Sequence, residues 1–517
     1  MNRADFTVIA DAEQRRHRFD TRRFAWIAGA AIIVLVLAVQ PFRDTDVWWH
    51  LALGKLITSS GIPAGEPFSF LPAAHAWVGQ QWLYEVMLAD LVGAGGPGLA
   101  SLIMGIAAAA AVVLATLSLP RASRVSGPWL ALAMVATGVV ITGVVGVTST
   151  VISVLGVALT LFVVTRWRDG RTNAVWCLPP LFLVWANMDA GFAMGLLVLV
   201  AALLLIRPAE SDPASRRRLG IAIAVSAVAA LANPLGPGIY ASVIAGVLDP
   251  GIAQNLAGWA SPDFHQWSSR ILEAEVVLVI ALWTVSGGPD RFSALTGFAL
   301  LIATLFAQEN LGILAVFLAP QLAVHSSRSW QRHVTPRFGG GRWAAPRHLH
   351  PIATSAVLFA MTAATVALLV PQLSPSAAAA YQASTYPEAA ATYVAAHFPG
   401  DRLYTVDSWG GYLAYRFPEG RVVFLYDEPA VFGTSALQQY LDIDDLRPDW
   451  VTVLTRNRIE HAILPSNARE VSALHVLGWT VDCYDPASGS MVMSAPPAGA
   501  PLPTTGLQIP PPGVPDC

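Results

Sequence analysis

The chain has 517 residues, of which 54% are hydrophobic and only 13% are charged, and its mean hydropathy is +0.53. Soluble domains carry about 25% charged residues, so this composition argues against a water-soluble globule. The formal net charge of −3, with basic residues in short clusters between apolar runs, argues against a nucleic-acid partner. Long apolar runs stop at Pro371, and the chain therefore divides near residue 375.

Eleven apolar runs approach or exceed the ~17 residues that a bilayer requires. They lie at 24–42, 98–119, 128–146, 150–166, 172–187, 190–206, 219–232, 272–287, 292–307, 311–326 and 351–371. The first run follows a cluster of arginines and precedes no small-residue cleavage site, so we predict a retained helix, with residues 1–23 as a cytoplasmic arm. Alternate crossings then leave Arg43, Lys55 and Arg270 as the basic residues of the outside loops, as the positive-inside rule requires.

One short apolar piece, residues 82–92, does not fit this count. It ends at the turn-forming stretch Gly93-Ala-Gly-Gly-Pro-Gly98. We predict that this piece is re-entrant or interfacial, because it is shorter than a span. If it does cross the membrane, a later pair of runs is miscounted.

This order of segments predicts a mostly α, polytopic transmembrane protein with about 11–12 hydrophobic segments and a small C-terminal extracytoplasmic α/β domain. The predicted parts are a transmembrane domain 24–371 with its first outside loop 43–81, a linker 372–386, the α/β domain 387–494 and a Pro-rich disordered tail 495–517. In the α/β domain, helical stretches at 387–398, 434–446 and 467–477 alternate with β-like runs Arg402–Val406, Arg421–Tyr426, His461–Leu464 and Trp479–Tyr484.

The three cysteines, Cys177, Cys483 and Cys517, form no metal-binding pattern. A structural zinc site is therefore not predicted. Cys483 and Cys517 can pair if their compartment is oxidising, and two ordinary unpaired thiols are the alternative.

The first outside loop carries the densest set of polar and aromatic residues. It opens with Arg43-Asp-Thr-Asp-Val-Trp-Trp-His50, and Trp49, Ala52, Leu53, Leu56 and Ile57 then recur at helical spacing. That spacing predicts an amphipathic helix whose apolar stripe lies on the bilayer surface. Asp46 and His50 are one turn apart and share the other face, with Asp44 just upstream.

Two acids at the boundary between membrane and water can do chemistry. Asp44 or Asp46 can act as a general base, or both can coordinate a divalent cation, Mg²⁺ or Mn²⁺, through hard oxygens. The alternative is that either residue simply caps the following helix.

These residues resemble the multi-spanning glycosyltransferases of the GT-C fold. The similar elements are Asp-x-Asp-x-Trp-Trp-His after the first helix, an interfacial helix, a Gly-x-Pro turn and a Trp-x-x-Glu entry into the next apolar segment. The resemblance implies a polyprenyl-phosphate-linked sugar as the donor and a catalytic Asp in the first outside loop. Asp44 or Asp46 would then deprotonate the acceptor hydroxyl, and Trp82 with Glu85 would flank the cavity.

Weaker motifs extend the resemblance. Trp185-Ala-Asn-Met-Asp-Ala-Gly-Phe192 is similar to a Trp-Ala-Asn-x-His-Gly-Gly-Phe element of bacterial membrane proteins with this layout, and Asn233-Pro-Leu-Gly236 and Trp259-Ala-Ser-Pro-Asp-Phe264 resemble their outside-loop motifs. Two positions depart from the pattern. Asp189 stands where the similar element has His, and Gln308-Glu-Asn310 stands where an Arg-Asn pair is expected.

The polar residues of these motifs share one side of the membrane. On the eleven-crossing prediction, Asn187, Asp189, Asn233, Asp263, His265, Glu309 and Asn310 all fall near the outer ends of helices, as Asp44 and Asp46 do. Polar groups at membrane depth are costly and usually line a cavity. The predicted substrate-binding residues are Trp49, His50, Lys55, Trp82, Glu85, Asn187, Asp189, Asp263 and His265. For each of them a helix cap, an interhelical hydrogen bond or a snorkelling side chain is the alternative.

The cations available to a donor phosphate are few. Lys55, Arg43, His50, His265 and Arg270 are the candidates on the outside, and a metal held by Asp44 and Asp46 would make up the shortfall. In the α/β domain, Asp407, Asp427 and Glu428 follow β-like runs, and the Gly410-Gly411 pair indicates a turn before a helix. This domain is predicted to bind the acceptor or to serve assembly.

The leading hypothesis is thus an integral-membrane glycosyltransferase of the bacterial inner membrane. It would transfer a sugar from a polyprenyl-phosphate donor to a cell-envelope glycan, lipid or protein acceptor on the outer face. The alternative is a non-catalytic carrier or scaffold for lipid-linked envelope intermediates, which would use the same cavity without a base.

Overall fold

The computed structural model describes most of the chain. The described residues are 21–73, 79–120, 123, 125–143, 146–206, 213–248, 260–338, 351–426, 429–497, 502–503, 506–509 and 512–517. Most of the predicted cytoplasmic arm, together with Trp259, Asp427 and Glu428, lies outside them.

Helices dominate this part of the chain, as predicted. In the bundle they are α1 Thr21–Ala38, α2 Val47–Ser60, α3 Trp82–Thr116, α4 Gly127–Thr142, α5 Thr150–Arg168, α6 Leu178–Trp185, α7 Phe192–Leu205, α8 Pro213–Ala229, α9 Gly238–Leu248, α10 Trp267–Ser286, α11 Arg291–Phe306, α12 Leu311–Ser329 and α13 Pro351–Gln372. Short 3₁₀ turns at Thr172–Cys177 and Gln308–Asn310 precede α6 and α12, and α12 continues through Trp330–Val334 and Thr335–Phe338.

Each of the eleven predicted runs overlaps one of these helices. Among the described residues, α3, α5 and the helix through Gln308–Val334 are long and apolar enough to span a membrane on their own, and a bent pair, Phe359–Gln372 with Pro375–Thr385, is a fourth candidate. Shorter apolar helices, α1, α4, α7 and α11 among them, pack around these spans. The chain is therefore a membrane protein of mostly α structure.

Helix α3 is broken near its middle. A straight helix of 35 residues would be about 52 Å long, well beyond the ~30 Å hydrocarbon core. The break lies at Gly95 and Gly96, where Gly96 has φ +70°, which a residue with a Cβ rarely adopts. The part before the break is held at Trp82 by Asn187, while Gly98, just after it, lies against the backbone of Leu373.

Leu373 leads into the C-terminal domain, so both ends of the piece before the break lie at the same end of the bundle. The segment predicted to be interfacial or re-entrant, residues 82–92, lies before this break, and Pro97–Thr116 is the part of α3 after it.

Small residues allow the bundle helices to pack closely. In lipid the hydrophobic effect does not drive helices together, so close approach at glycine and alanine supplies the packing energy. A Cβ at Gly138 would collide with Val34, and one at Gly312 would collide with Val154. Helix α12 lies at the centre, with nearly every residue buried, and packs against α3, α4, α5 and α10.

The C-terminal domain contains one four-stranded sheet of order β1-β2-β4-β3. Its elements are α14 Pro375–Thr385, α15 Glu388–His397, β1 Leu403–Thr405, α16 Asp407–Arg416, α17 Pro429–Asp444, α18 Trp450–Arg456, β2 His461–Pro465, α19 Arg469–Val476, β3 Thr480–Asp485 and β4 Ser490–Ser494. β1 runs parallel to β2, whereas β4 is antiparallel to both β2 and β3. The small sheet flanked by helices is as predicted, but β4 was not predicted and α14 occupies the predicted linker.

The predicted strand Arg421–Tyr426 has a different role. It makes single bridges at Val423, to Leu403 of β1 on one side and to Ser69 of the first outside loop on the other. The Phe70 N–H donates to the Val423 carbonyl at 3.2 Å, and the Ser69 hydroxyl donates to the Phe424 carbonyl at 2.8 Å. The first outside loop is thus joined to the edge of the domain's sheet.

Helix α2 is buried in protein, which corrects the prediction that its apolar stripe lies on the bilayer. Trp49, Ala52, Leu53 and Ile57 are all buried, because α2 packs between α3 and α16. The spacing that indicates a bilayer-facing stripe also suits a helix that packs against protein on that face.

The pair Gly410-Gly411 lies inside α16, which corrects the predicted turn. A Cβ at Gly410 would overlap the Leu425 carbonyl, and one at Gly411 would lie 3.0 Å from the Thr45 carbonyl. The two glycines therefore let α16 approach the Asp44 loop and the 421–426 segment.

The end of the chain is also anchored, unlike the predicted disordered tail. Cys517 forms a disulfide with Cys483, and residues 515–517 exchange backbone hydrogen bonds with Tyr484 at 3.0 Å. The remaining cysteine, Cys177, is an exposed free thiol.

Candidate functional site

Asp44 and Asp46 lie in the turn between α1 and α2. The Asp46 N–H donates to Asp44 Oδ1 at 3.1 Å, which is the two-residue turn that Asp side chains favour. The Asp46 carboxylate precedes α2 but makes no capping hydrogen bond to it. For Asp46, helix capping is therefore not the role that the geometry gives.

The environment of Asp44 suits a base. Burial raises the pKa of its carboxyl, and hydrogen bonds from the Asp46 N–H and the Thr148 hydroxyl offset part of that rise. A carboxylate with a raised pKa takes a proton more readily than an exposed one, which a general base requires.

Thr148 and Ser149 connect the first outside loop to Asp189. Thr148 bonds Asp44, and the adjacent Ser149 donates to Asp189 Oδ2 at 2.8 Å. Asp189 also accepts from the Ser153 hydroxyl and, at 2.8 Å, from the Gly191 N–H. The acid that replaces the expected His is therefore held by three donors, one of which, Ser149, is adjacent in sequence to the Thr148 that bonds Asp44.

Tyr84 is a buried phenol near the acids predicted for the site. Its side chain is fully buried, and it lies within electrostatic range of Asp44, Asp46, Glu85 and Asp189. Its hydroxyl has no hydrogen-bond partner among the described residues. The four predicted carboxylates, which come from different parts of the chain, thus all lie within electrostatic range of one phenol that the sequence did not single out.

His50 packs tightly beside this group. Its ring stacks on Trp49, with 3.6 Å between ring centroids, meets Tyr84 edge-on, and places Nδ1 3.4 Å from Glu85 Oε1. Burial lowers the pKa of the imidazole to about 3, so His50 is neutral near pH 7. It is thus not one of the cations predicted for a donor phosphate.

Trp82, Asn187 and Asn233 form a second network at the same end of the bundle. Trp82 Nε1 donates to Asn187 Oδ1 at 2.7 Å, and the Asn187 amide donates to the Ala232 carbonyl at 2.8 Å. Asn233 donates to the Ala186 carbonyl at 2.9 Å. These hydrogen bonds link three motifs that lie far apart in the sequence. Each polar group has a protein partner, as it must where water is not available to bond it.

Other predicted residues lie elsewhere. The Lys55 ammonium donates to the Tyr415 hydroxyl of α16 at 3.0 Å and lies over that ring. Asp263 and His265 pair with each other at 3.0 Å and are exposed, His265 by 92% of its side chain. Asn310 donates to carbonyls at the end of α11. Within the described part of the chain, none of these contacts involves Asp44, Asp46, Glu85 or Asp189.

Aromatic side chains of the C-terminal domain pack against Trp48 of the first-loop motif. Trp48 packs edge-on against Phe42, Tyr386 and Tyr412 and lies beside Tyr415. Trp48 and Trp49 thus both contact the C-terminal domain, since Trp49 lies beside Tyr426 and Gly411, while His50 lies beside Glu85.

Few described side chains near Asp44 and Asp46 could hold a metal ion. No group of three or more His, Cys, Asp or Glu side chains in the described ranges could hold an ion. Asp44 and Asp46 provide two carboxylates, and Mg²⁺ is often bound by one or two carboxylates with water and substrate phosphate. The pair is therefore compatible with a weakly held, substrate-completed ion.

No protein-family model and no curated protein matches the sequence. Solved structures do. The chain is similar to the archaeal oligosaccharyltransferase AglB from Archaeoglobus fulgidus in complex with an inhibitory peptide and a dolichol-phosphate, with a TM-score of 0.52 and 12% identity over 93% of this chain and 75% of that chain. The same enzyme tethered to an acceptor peptide gives a TM-score of 0.51 and 12% identity over 94% and 76%.

At this identity the likeness establishes the fold alone. The chain has the GT-C fold of membrane glycosyltransferases, as the first-loop motif indicated.

Proposed function

We propose that this protein is a glycosyltransferase that moves a sugar from a polyprenyl-phosphate donor to a cell-envelope acceptor. The reaction would take place at the outer face of a bacterial inner membrane, with the N-terminus in the cytoplasm. The observation that supports the proposal is that the carboxylates of Asp44, Asp46, Glu85 and Asp189 all lie within electrostatic range of buried Tyr84, in a chain with a GT-C fold.

Asp44 is the stronger candidate for the base. Its carboxyl has a raised pKa and its Oδ1 is oriented by the Asp46 N–H, so it is poised to accept the proton of an acceptor hydroxyl. Asp46 is the other candidate, and Trp82 with Glu85 would flank the sugar.

The donor fits the setting by its chemistry. Its polyprenyl tail belongs among the helices, and its phosphate needs positive charge, which the described outside residues supply sparsely. The alternative role of Asp44 and Asp46 is to hold Mg²⁺ or Mn²⁺, which would neutralise the phosphate in place of acting as the base. AglB, whose fold is shared, has been solved with a dolichol-phosphate.

The C-terminal domain 387–494 would bind the acceptor. It contacts the Asp44 loop through Gly411 and shares backbone hydrogen bonds with residues 69–70. A substrate held on this domain would lie close to the proposed base.

The test is release of polyprenyl phosphate from a panel of polyprenyl-phosphate sugars by the purified protein in proteoliposomes, with a cell-envelope extract added to supply the acceptor hydroxyl. Asp44→Asn or Asp46→Asn should lower the rate by about 10²- to 10⁴-fold, the usual contribution of a general base. Asp90→Asn, an exposed acid of α3 outside the group, is the matched control.

Unchanged release in both site variants would reject the assignment. Wild-type protein that binds the lipid-linked sugars without releasing polyprenyl phosphate would favour the carrier or scaffold instead.

A further inference from the structure

A cavity of about 480 Å³ opens at the end of the bundle opposite to Asp44. Its walls include the last turns of α5 and α12 and the first turn of α11. Helix α5 begins at Thr150, beside the acids, and lines the cavity from Leu161 to Arg168, about 16 to 27 Å further along the helix. The cavity is therefore distinct from the acid site, and its volume lies within the range of small-molecule sites.

The cavity has an excess of positive charge. Arg168 and Asp290 form an ion pair at 3.0 Å, and Asp290 also accepts the Ser293 N–H at 2.7 Å. Arg291 and Arg328 line the same cavity and are exposed. Within the part of the chain that the structure describes, neither of them enters an ion pair.

Apolar side chains continue the cavity towards the middle of the bundle. Leu161, Val164 and Phe317 form this wall, and Gln321 donates to Ser293 Oγ at 2.9 Å between the wall and the arginines. A cationic rim above an apolar wall matches an amphiphile with an anionic head. The positive-inside rule explains why arginines lie at this end, but it does not require a walled cavity.

We propose that this cavity binds a phosphate-bearing group, with an anionic lipid headgroup as the source that the apolar wall favours. Arg291 and Arg328 would contact the phosphate oxygens through their guanidinium groups. The amino end of α11, a helix of 16 residues, adds partial positive charge. This site does not depend on the transfer reaction proposed above.

The test uses full-length protein in detergent, titrated with dioctanoyl phosphatidylglycerol and followed by native mass spectrometry. Wild type should bind one lipid in a saturable step. Arg291→Gln with Arg328→Gln should weaken that step by about tenfold or more, the order expected from the loss of charge-assisted hydrogen bonds. Arg328→Lys, which keeps the charge, should recover part of the binding.

Two controls separate the site from general attraction to basic residues. Arg217→Gln removes an exposed arginine of α8 that does not line the cavity, and dioctanoyl phosphatidylcholine replaces the anionic head with a zwitterionic one. Equal loss in Arg217→Gln, or binding that survives the double substitution, would overturn the proposal. Arginine-dependent binding of sodium phosphate at an affinity equal to that of the lipid would assign the site to a soluble phosphate compound.

Discussion

Tyr426 donates a hydrogen bond of 2.9 Å to the carboxylate of Glu66, although 360 residues separate them. The same carboxylate accepts the N–H groups of Phe68 and Ser69 at 2.7 and 2.6 Å. One buried acid therefore shapes the first outside loop and fastens it to the C-terminal domain.

Removal of this acid should loosen the junction. Glu66→Ala leaves three donors without their acceptor and should cost about 2–4 kcal/mol of stability. Glu66→Gln keeps one oxygen and should cost less. Thermal unfolding of the purified protein in detergent should give the lowest midpoint for Glu66→Ala and an intermediate one for Glu66→Gln. Exposed Glu419→Ala is the control, and a Glu66→Ala midpoint equal to that of the control would refute the structural role of Glu66.

A side chain at Gly410 should separate α16 from the 421–426 segment, to which residues 69–70 of the first outside loop are joined. The added methyl of Gly410→Ala would overlap the Leu425 carbonyl, and such overpacking costs about 1–3 kcal/mol or more. Gly93→Ala is the matched control, because its Cβ would meet nothing within 4 Å in an existing helix. Limited proteolysis at residues 61–73 should be faster in Gly410→Ala than in Gly93→Ala. Equal cleavage rates in the two variants would count against the close approach of α16 to the 421–426 segment.

The Thr148 hydroxyl should tune the proposed base. Its hydrogen bond lowers the pKa of Asp44, while burial raises that pKa above 3.8. The base acts when deprotonated, so the rate should rise with pH through this pKa. Thr148→Val removes the lowering influence, and the rising limb should therefore move to higher pH.

Thr58→Val in α2 is the control, since its hydroxyl bonds only the local Gly54 carbonyl in the contacts described. A pH–rate profile that stays in place in Thr148→Val would show that Asp44 is not the group that titrates.

Thiol titration should count the disulfide directly. Three cysteines are present, so one thiol should react before reduction and three afterwards, and three reactive thiols at the start would contradict the pairing. Cys517→Ser should destabilise the C-terminal domain by about 3–4 kcal/mol in the chain-entropy estimate for a separation of 34 residues. Cys177→Ser should leave stability unchanged.

The sequence predicts what depends on local pattern and composition. Apolar runs located the bundle helices, and the spacing of Asp44, Asp46 and His50 located the first-loop element. The resemblance of a short motif, Asp-x-Asp-x-Trp-Trp-His, also sufficed to indicate the GT-C fold. Trp82, Asn187 and Asn233 converge as their shared sidedness predicts, because membrane depth leaves few partners for polar groups.

What escaped prediction depends on distant partners. Gly410 and Gly411 were predicted to form a turn because glycine is common in turns. In the structure their lack of a side chain lets the Leu425 and Thr45 carbonyls approach α16 closely. The stripe of α2 has the same period whether it faces lipid or protein. No sequence pattern singles out Tyr84, because its place in the site depends on the fold, which brings it within electrostatic range of four acids from different parts of the chain.

The backbone bonds between residues 69–70 and 423–424 also set an order of events during biosynthesis. About 355 residues separate Ser69 from its partner Phe424, and a ribosome adds roughly 5–20 residues each second. The loop that holds Asp44 and Asp46 therefore waits about 20–70 s at that rate for the segment that completes it. A chain terminated before residue 423 would therefore insert its early helices while residues 69–70 of the first outside loop still lacked their partners in the C-terminal domain.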